Sequence, residues 1–275
     1  MNRPTIISVV NHKGGCLKTT LTANLGAALA RSGKRVLLVD LDAQQNLTQS
    51  LIGSIVPEDG EFTLYDAIVE EAPLDALIRP TAQKGLDIVP CTEDFAGADM
   101  SLVSVVGREH ALKQCLAQTQ RLAEYDFVLL DNPPSISLVV VNSLVASDFF
   151  LVPCSAEYLP MVGLTLLGNS IGKVQKVAPK LALLGVVITL FARNERICNQ
   201  VEEMLRKELG EKLFKTKVRV NTKAKSAPAV RKTIFEYEDD RQGRGTQDFT
   251  QLAAELLARV EALSAEPERE VASNG

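Results

Sequence analysis

Close to the amino terminus, Asn11-His12-Lys13-Gly14-Gly15-Cys16-Leu17-Lys18-Thr19-Thr20 places two glycines, two lysines and two adjacent hydroxyls between an apolar run and a helical pattern. Glycines in a strand-to-helix turn let backbone N–H groups close on an anion, and the helix start that follows favours negative charge. A lysine at the turn's end adds a point charge, and the next hydroxyl can ligand a divalent cation. The chemistry that needs all of these at this spacing is the holding of nucleotide phosphates. Gly14 and Gly15 would allow the close approach, Lys18 would reach the β- and γ-phosphates, and Thr19 would ligand Mg2+. A bare Gly-Gly turn requires neither Lys18 nor Thr19.

Phosphoryl transfer to water also needs carboxylates, and two apolar runs end in them. Arg35-Val36-Leu37-Leu38-Val39-Asp40-Leu41-Asp42 closes on two acids, and Phe127-Val128-Leu129-Leu130-Asp131 closes on one before Asn132-Pro133-Pro134-Ser135. Acids at such positions are also ordinary caps and turn residues. The residues alone leave Asp40 and Asp42 open between those roles and chemistry.

Lys13-Gly14-Gly15-x-x-Lys18-Thr19 resembles the deviant Walker A box of the family that contains ParA, Soj, MinD and the nitrogenase iron protein. The resemblance is to its ParA/Soj-type partition ATPases and spans about residues 5–265. It implies ATP and Mg2+ as cofactors, weak intrinsic ATP hydrolysis, and nucleotide contacts from Lys13, Gly14, Gly15, Cys16, Leu17, Lys18, Thr19 and Thr20. It implies that Lys13 reaches in trans to a partner's phosphates, so that ATP joins a homodimer. Asp42 matches the switch I acid that orients the attacking water, with Asp40 near the metal. Asp131 matches the Walker B acid that holds Mg2+ through water, and the catalytic set is Lys13, Lys18 and Asp42. Two positions depart from the pattern: Asn132 stands where the family commonly has cysteine, and Leu17 where most members have glycine. A β-carbon at 17 would alter the loop's conformation. His12 reads as a permissive loop position, and Cys16 lies near a helix N-terminus that would lower its pKa.

The whole chain carries a formal charge of −4, yet residues 193–244 hold fourteen Lys/Arg against nine Asp/Glu. Within them Lys212, Lys215, Lys217, Arg219, Lys223, Lys225, Arg231 and Lys232 follow one another without an acid. Such a run neutralises phosphates without reading sequence, and it is also what a solvated face looks like. Phe214 is its one aromatic, so contacts to a duplex backbone fit better than base stacking. The resemblance assigns DNA contacts to Lys223 and Lys225 in the segment Val218–Pro228, with Arg219 and Arg193 as further candidates. It implies non-specific double-stranded DNA, a ParB-like or other adaptor, and a second copy of the chain as partners. The location would be cytoplasmic, on the nucleoid. A MinD-like membrane-associated regulator is the alternative, but Glu266–Glu270 is acidic where a basic anchor is needed.

These residues need a frame that brings strand ends together. Ile6–Val10, Arg35–Asp40, Leu86–Pro90, Phe127–Asp131, Phe149–Pro153 and Leu183–Phe191 read as buried strands. Lys18–Ser32, Gly107–Ala123, Ser135–Ala146 and Tyr158–Val177 read as the crossover helices between them. The fold expected is α/β: a single-domain P-loop NTPase with a mostly parallel twisted sheet and helices on both faces. A helix Glu195–Leu209, an acidic turn Glu236–Asp240 and a last helix Thr246–Leu263 follow. The ATPase domain would be residues 1–263, and 264–275 a disordered polar tail. With 275 residues, 46% of them hydrophobic and 23% charged, the composition is that of an ordinary globular chain. No apolar stretch approaches the roughly 18 residues of a membrane span. Cys16, Cys91, Cys115, Cys154 and Cys198 are scattered and odd in number, which argues for reduced thiols without a zinc site or a bridging cluster.

Overall fold

The apolar runs form strands because burial on both faces removes the need for alternation. The computed structural model describes residues 3–156, 160–238 and 243–273, with residues 160 and 266–273 by backbone alone. Its strands are β1 (Thr5–Val9), β2 (Val36–Asp40), β3 (Arg79–Pro80), β4 (Leu86–Val89), β5 (Phe127–Asp131), β6 (Phe149–Ser155) and β7 (Ala182–Thr189). They join in the order β3-β4-β2-β5-β1-β6-β7, parallel throughout except the short edge β3, which runs antiparallel to β4. The helices are α1 (Lys18–Arg31), α2 (Asn46–Leu51), α3 (Leu64–Val69), α4 (Ala98–Leu102), α5 (Ala111–Gln118), α6 (Leu138–Ala146), α7 (Pro160–Val174), α8 (Arg196–Leu209), α9 (Thr222–Ser226), α10 (Ile234–Tyr237) and α11 (Arg244–Ser273). One core, on the face of α1 and α11, gathers Leu25, Leu29, Leu38, Leu129, Phe249 and Leu256. Two more fill the opposite face beneath α3–α6 and α7–α8.

The α/β expectation holds, with helices on both faces of a mostly parallel sheet. The stripe Phe249, Leu252, Ala253, Leu256 and Val260 of the last helix is buried against the body. Small residues let α1 lie close to the sheet, and a β-carbon on Gly26 would stand 2.8 Å from a Leu38 methyl.

Boundaries differ where polar side chains end helices. The run Gly107–Ala123 is one helix only over Ala111–Gln118, flanked by 3-10 turns. Gly107 enters at φ 70°, and Thr119 leaves in extended backbone. The Thr119 hydroxyl donates to Cys115 O (2.7 Å) and accepts from Leu74 N (2.9 Å), which takes the chain out of the helix. α6 starts at Leu138 rather than Ser135, with Ser137 as its N-cap in extended backbone (φ −99°, ψ 178°). α7 is described from residue 160, so the first residues of the expected Tyr158–Val177 lie outside the described residues, as do the last two of the acidic turn Glu236–Asp240. Helical backbone of α11 continues past Leu263 through much of the segment expected as a tail.

β1 lies between β5 and β6, the place where successive crossovers leave to opposite sides. In parallel α/β sheets the crevice at the strands' carboxyl ends at such a point is where ligands bind. The 11–20 loop leaves β1 at that end.

Candidate nucleotide site

The loop is tied to its neighbours before it turns. Val10 N donates to Leu151 O of β6 (3.0 Å), and the buried Asn11 sends Nδ2 to Pro153 O (2.6 Å) while its Oδ1 takes Lys13 N (3.1 Å). On the far side Cys16 is buried, its Sγ donating to Lys13 O (3.1 Å) and its carbonyl accepting from Thr189 Oγ1 (3.0 Å). Gly15 has φ 73°, a conformation glycine adopts without cost. A β-carbon on Gly14 or Gly15 would meet no atom of the chain within 4 Å, so crowding by the protein itself does not demand either glycine. Leu17 nevertheless takes left-handed backbone (φ 65°, ψ 31°) as the N-cap of α1, and its carbonyl accepts from Leu21 N (2.8 Å).

Lys18 is buried, with Nζ 3.4 Å from Lys13 O. Lys13, Gly14 and Gly15 are exposed. Beneath the start of α1 lies Asp131, fully buried at the end of β5. Its Oδ1 accepts from Thr22 Oγ1 (3.0 Å), Thr19 and Lys18 at the start of α1 lie near enough to the carboxylate to oppose the rise in its pKa, and Oδ2 has no partner. Burial first, then the charge of Asp40, pushes the Asp131 carboxyl up to about 7. A buried carboxylate with an unmatched oxygen beside a hydroxyl and an ammonium fits a divalent cation. Among the described residues no three His, Cys, Asp or Glu converge to hold a metal. Such an ion would therefore draw its other ligands from phosphate and water, as Mg2+ does.

Asp40 ends β2 in register with Asp131 and is equally buried, but its oxygens are occupied. Oδ2 accepts from Thr48 N (2.9 Å) and Thr48 Oγ1 (2.7 Å), and Oδ1 from Asp42 N (3.2 Å). Thr48 Oγ1 in turn accepts from Cys91 N (3.0 Å). These bonds let the carboxylate expected near the metal also shape the loop between β2 and α2, while its place in register keeps it next to Asp131. Burial raises it to about 6. That loop presents Asp42, buried, with Oδ1 accepting from Gln44 N (3.0 Å) and its carbonyl from Gln45 N (2.7 Å).

Asn132, the cysteine position of the resemblance, donates Nδ2 to Val9 O and Leu130 O (both 3.1 Å) and fixes the strand end, its Oδ1 left without a partner. Cys16 behaves opposite to its helix-terminal position, because burial pushes its thiol up rather than down. All five cysteines are free and buried.

The structure divides the basic run. Arg219 forks onto Asp248 of α11, Nε to Oδ1 at 2.9 Å and Nη2 to Oδ1 at 2.6 Å, and Lys217 pairs with Glu202 at 2.5 Å. The Arg219 side chain is thus committed to holding residue 219 to the last helix. Lys223 and Lys225 are exposed on α9, whose N-cap Asn221 takes Lys223 N (2.8 Å), and Arg193 is exposed in the loop after β7. Sequence reasoning missed Thr22, Thr48, Thr189 and Asn11, single polar residues whose partners lie on other elements.

A family model described as an AAA domain matches residues 4–183. The chain is 38% identical over 254 residues to the sporulation initiation inhibitor protein Soj of Bacillus subtilis (strain 168), covering 92% of this chain and 98% of that one. It is 34% identical to the chromosome partitioning protein ParA of Caulobacter vibrioides (strain NA1000 / CB15N), covering 92% and 94%. Its fold superposes on cobyrinic acid a,c-diamide synthase from Mycobacterium smegmatis with bound ADP and magnesium, with a TM-score of 0.79 and 28% identity over 94% and 96% of the two chains. The extent of these matches and the loop, strand-end acids and sheet order described above lead to one assignment: the chain belongs to the Soj/ParA-type partition ATPases of the ParA/MinD superfamily of P-loop NTPases.

Proposed function

We propose that this chain binds ATP and Mg2+ on the 13–20 loop, dimerises on ATP, and binds duplex DNA without sequence preference. A ParB-like or other adaptor then releases it by stimulating hydrolysis. The observation that carries the nucleotide part is the unpartnered Oδ2 of buried Asp131 beside Thr19 and Lys18 at the start of α1. When bound, the cation supplies charge neutralisation on the phosphates. Thr19 and Asp131 are the residues that would hold it, Asp131 through water. Lys18 now leans on Lys13 O at 3.4 Å, a weak contact that a phosphate oxygen displaces. Asp42 orients the attacking water, and exposed Lys13 reaches the partner's phosphates.

DNA contact falls to Lys223 and Lys225, with Arg193 at the neighbouring loop, while Arg219 acts by fixing the segment. The unit performing this is residues 1–263, working on the nucleoid in the cytoplasm. Among the described residues no helix is long and apolar enough to cross a membrane, and the apolar stripe of α11 is packed on the body rather than offered to a lipid surface.

The test is sedimentation of random-sequence duplex DNA with the protein under ATP, ADP or no nucleotide, at two salt concentrations, alongside Lys13→Ala and a Lys223→Ala/Lys225→Ala double variant. Binding by wild type with ATP alone, lost in both variants and weakened by salt, is the expected result. Dimers that form on ATP and ignore DNA would remove the DNA part of the proposal.

A further inference from the structure

Two leucines with left-handed backbone, Leu17 at φ 65° and Leu190 at φ 53°, form walls of one small crevice between the nucleotide loop and the basic segment. Left-handed backbone disfavours a branched side chain, and it persists only where the surroundings over-determine it. Here they do. Leu17 packs against the α1/α11 core, whose nearby members include Val218, Ala224 and Phe249. Leu190 follows Thr189, whose hydroxyl holds Cys16 O at 3.0 Å, one residue from Leu17. On its other side the chain 218–220 is zipped to the end of β7: Val218 N donates to Ile188 O (2.9 Å), Phe191 N to Val218 O (3.1 Å) and Val220 N to Phe191 O (3.1 Å). Val220 leads directly into Asn221 and α9, which bears Lys223 and Lys225.

We infer that Leu17 is a positioning residue that couples the phosphate loop to the basic segment 218–225. This rests on the reading that the 13–20 loop binds nucleotide. Leu17 is the N-cap of α1, so an adjustment of the loop around phosphate moves its side chain within the crevice it shares with Val218 and Ala224. Ordering of the loop is thereby passed to the backbone that carries Lys223 and Lys225. A glycine at 17 would adopt the same backbone freely and make none of these contacts. The leucine thus links the two sites through the shared core and crevice that it, Val218 and Ala224 line, rather than through distance alone.

The experiment is hydrogen–deuterium exchange of the full chain with and without Mg-ATP, comparing wild type, Leu17→Gly and Val218→Ala. Val218→Ala thins the opposite wall without touching the loop. In wild type, nucleotide is expected to slow exchange both in residues 11–20 and in 218–226. In Leu17→Gly, at nucleotide concentrations that saturate the response of 11–20, the nucleotide-dependent ratio in 218–226 falls by roughly fivefold or more, and Val218→Ala, with the loop response intact, shows the same loss in smaller degree. A merely structural role would raise exchange in 218–226 equally with and without nucleotide and leave the ratio unchanged. That outcome overturns the inference, as does wild-type protection confined to the loop. Absence of protection at 11–20 in wild type is a separate signature, which removes the nucleotide reading and this inference with it.

Discussion

Replacing Asp131 by asparagine should make the nucleotide-free protein more stable and disable it. The carboxylate is fully buried, Oδ2 has no partner, and its pKa is raised from 3.8 to about 7, first by burial and then by Asp40. The folded chain therefore keeps this proton to higher pH than the unfolded chain. Stability falls as pH rises through the window from about 4 to about 7, and the penalty is constant above it. At about 1.36 kcal/mol per pKa unit, the ionised form costs the folded state on the order of 4 kcal/mol. Asparagine brings an amide whose hydrogen bonds are not all met there, which returns about 1–2 kcal/mol, so the net gain above pH 7 is about 2 kcal/mol. In EDTA, urea unfolding at about pH 8 should show the Asp131→Asn midpoint higher by close to ~1 M, and the gap should shrink by more than half at about pH 5. Saturating Mg-ATP should reverse the order, adding about 2–3 kcal/mol to wild type and little to the variant. A variant no more stable than wild type at the higher pH, or a gap independent of pH, would refute the argument that Asp131 is an uncompensated charge awaiting a cation.

Further substitutions separate chemistry from scaffolding. Asp42→Ala should lower kcat for ATP hydrolysis by about 10²–10³-fold with nucleotide affinity changed less than about threefold, because the proposed role of the residue is to orient water rather than phosphate; parallel loss of both would sink that role. Arg219→Ala should destabilise the fold by about 1–3 kcal/mol by stranding Asp248, whose side chain is 6% exposed, while the Lys223→Ala/Lys225→Ala pair leaves the melting temperature within about 1 °C. Equal melting of both variants would return Arg219 to the list of free surface cations. Gly185→Ala should cost about 2–3 kcal/mol, because at φ 154° its β-carbon would stand 2.6 Å from the Phe214 ring and 2.8 Å from Lys212 O; an unaltered denaturation midpoint would contradict that crowding.

The long buried strands and α1 are legible in the chain because their patterns extend over enough residues for burial to impose composition. The phosphate loop is legible because its spacing is set by a ligand rather than by packing. What stays hidden is decided by distant partners. The edge strand Arg79–Pro80 and the short α2, α9 and α10 are too brief to show a period and exist through tertiary packing. Arg219 looks like Lys223 in a basic run, and only the approach of α11 gives it Asp248. Leu17 looks like a misfit in a glycine position until Leu190, Val218 and Ala224 are seen around it.

Asp40 and Asp131 make the same point where it bears on function. Both end fully buried strands, both sit at the carboxyl edge of the sheet, and they are partners in register. Three donors converge on Asp40, two of them from the single residue Thr48, while Asp131 keeps one oxygen unmet. A buried acceptor without a partner costs stability, and one more hydroxyl nearby would remove that cost. A fold that equips one of two adjacent carboxylates fully and its neighbour only in part retains at Asp131 a strain that binding can relieve. Thr19 and Lys18 act on this same carboxylate at the start of α1, so under the proposed function a cation carried in with phosphate relieves the unmet oxygen, and nucleotide binding then tightens the folded state.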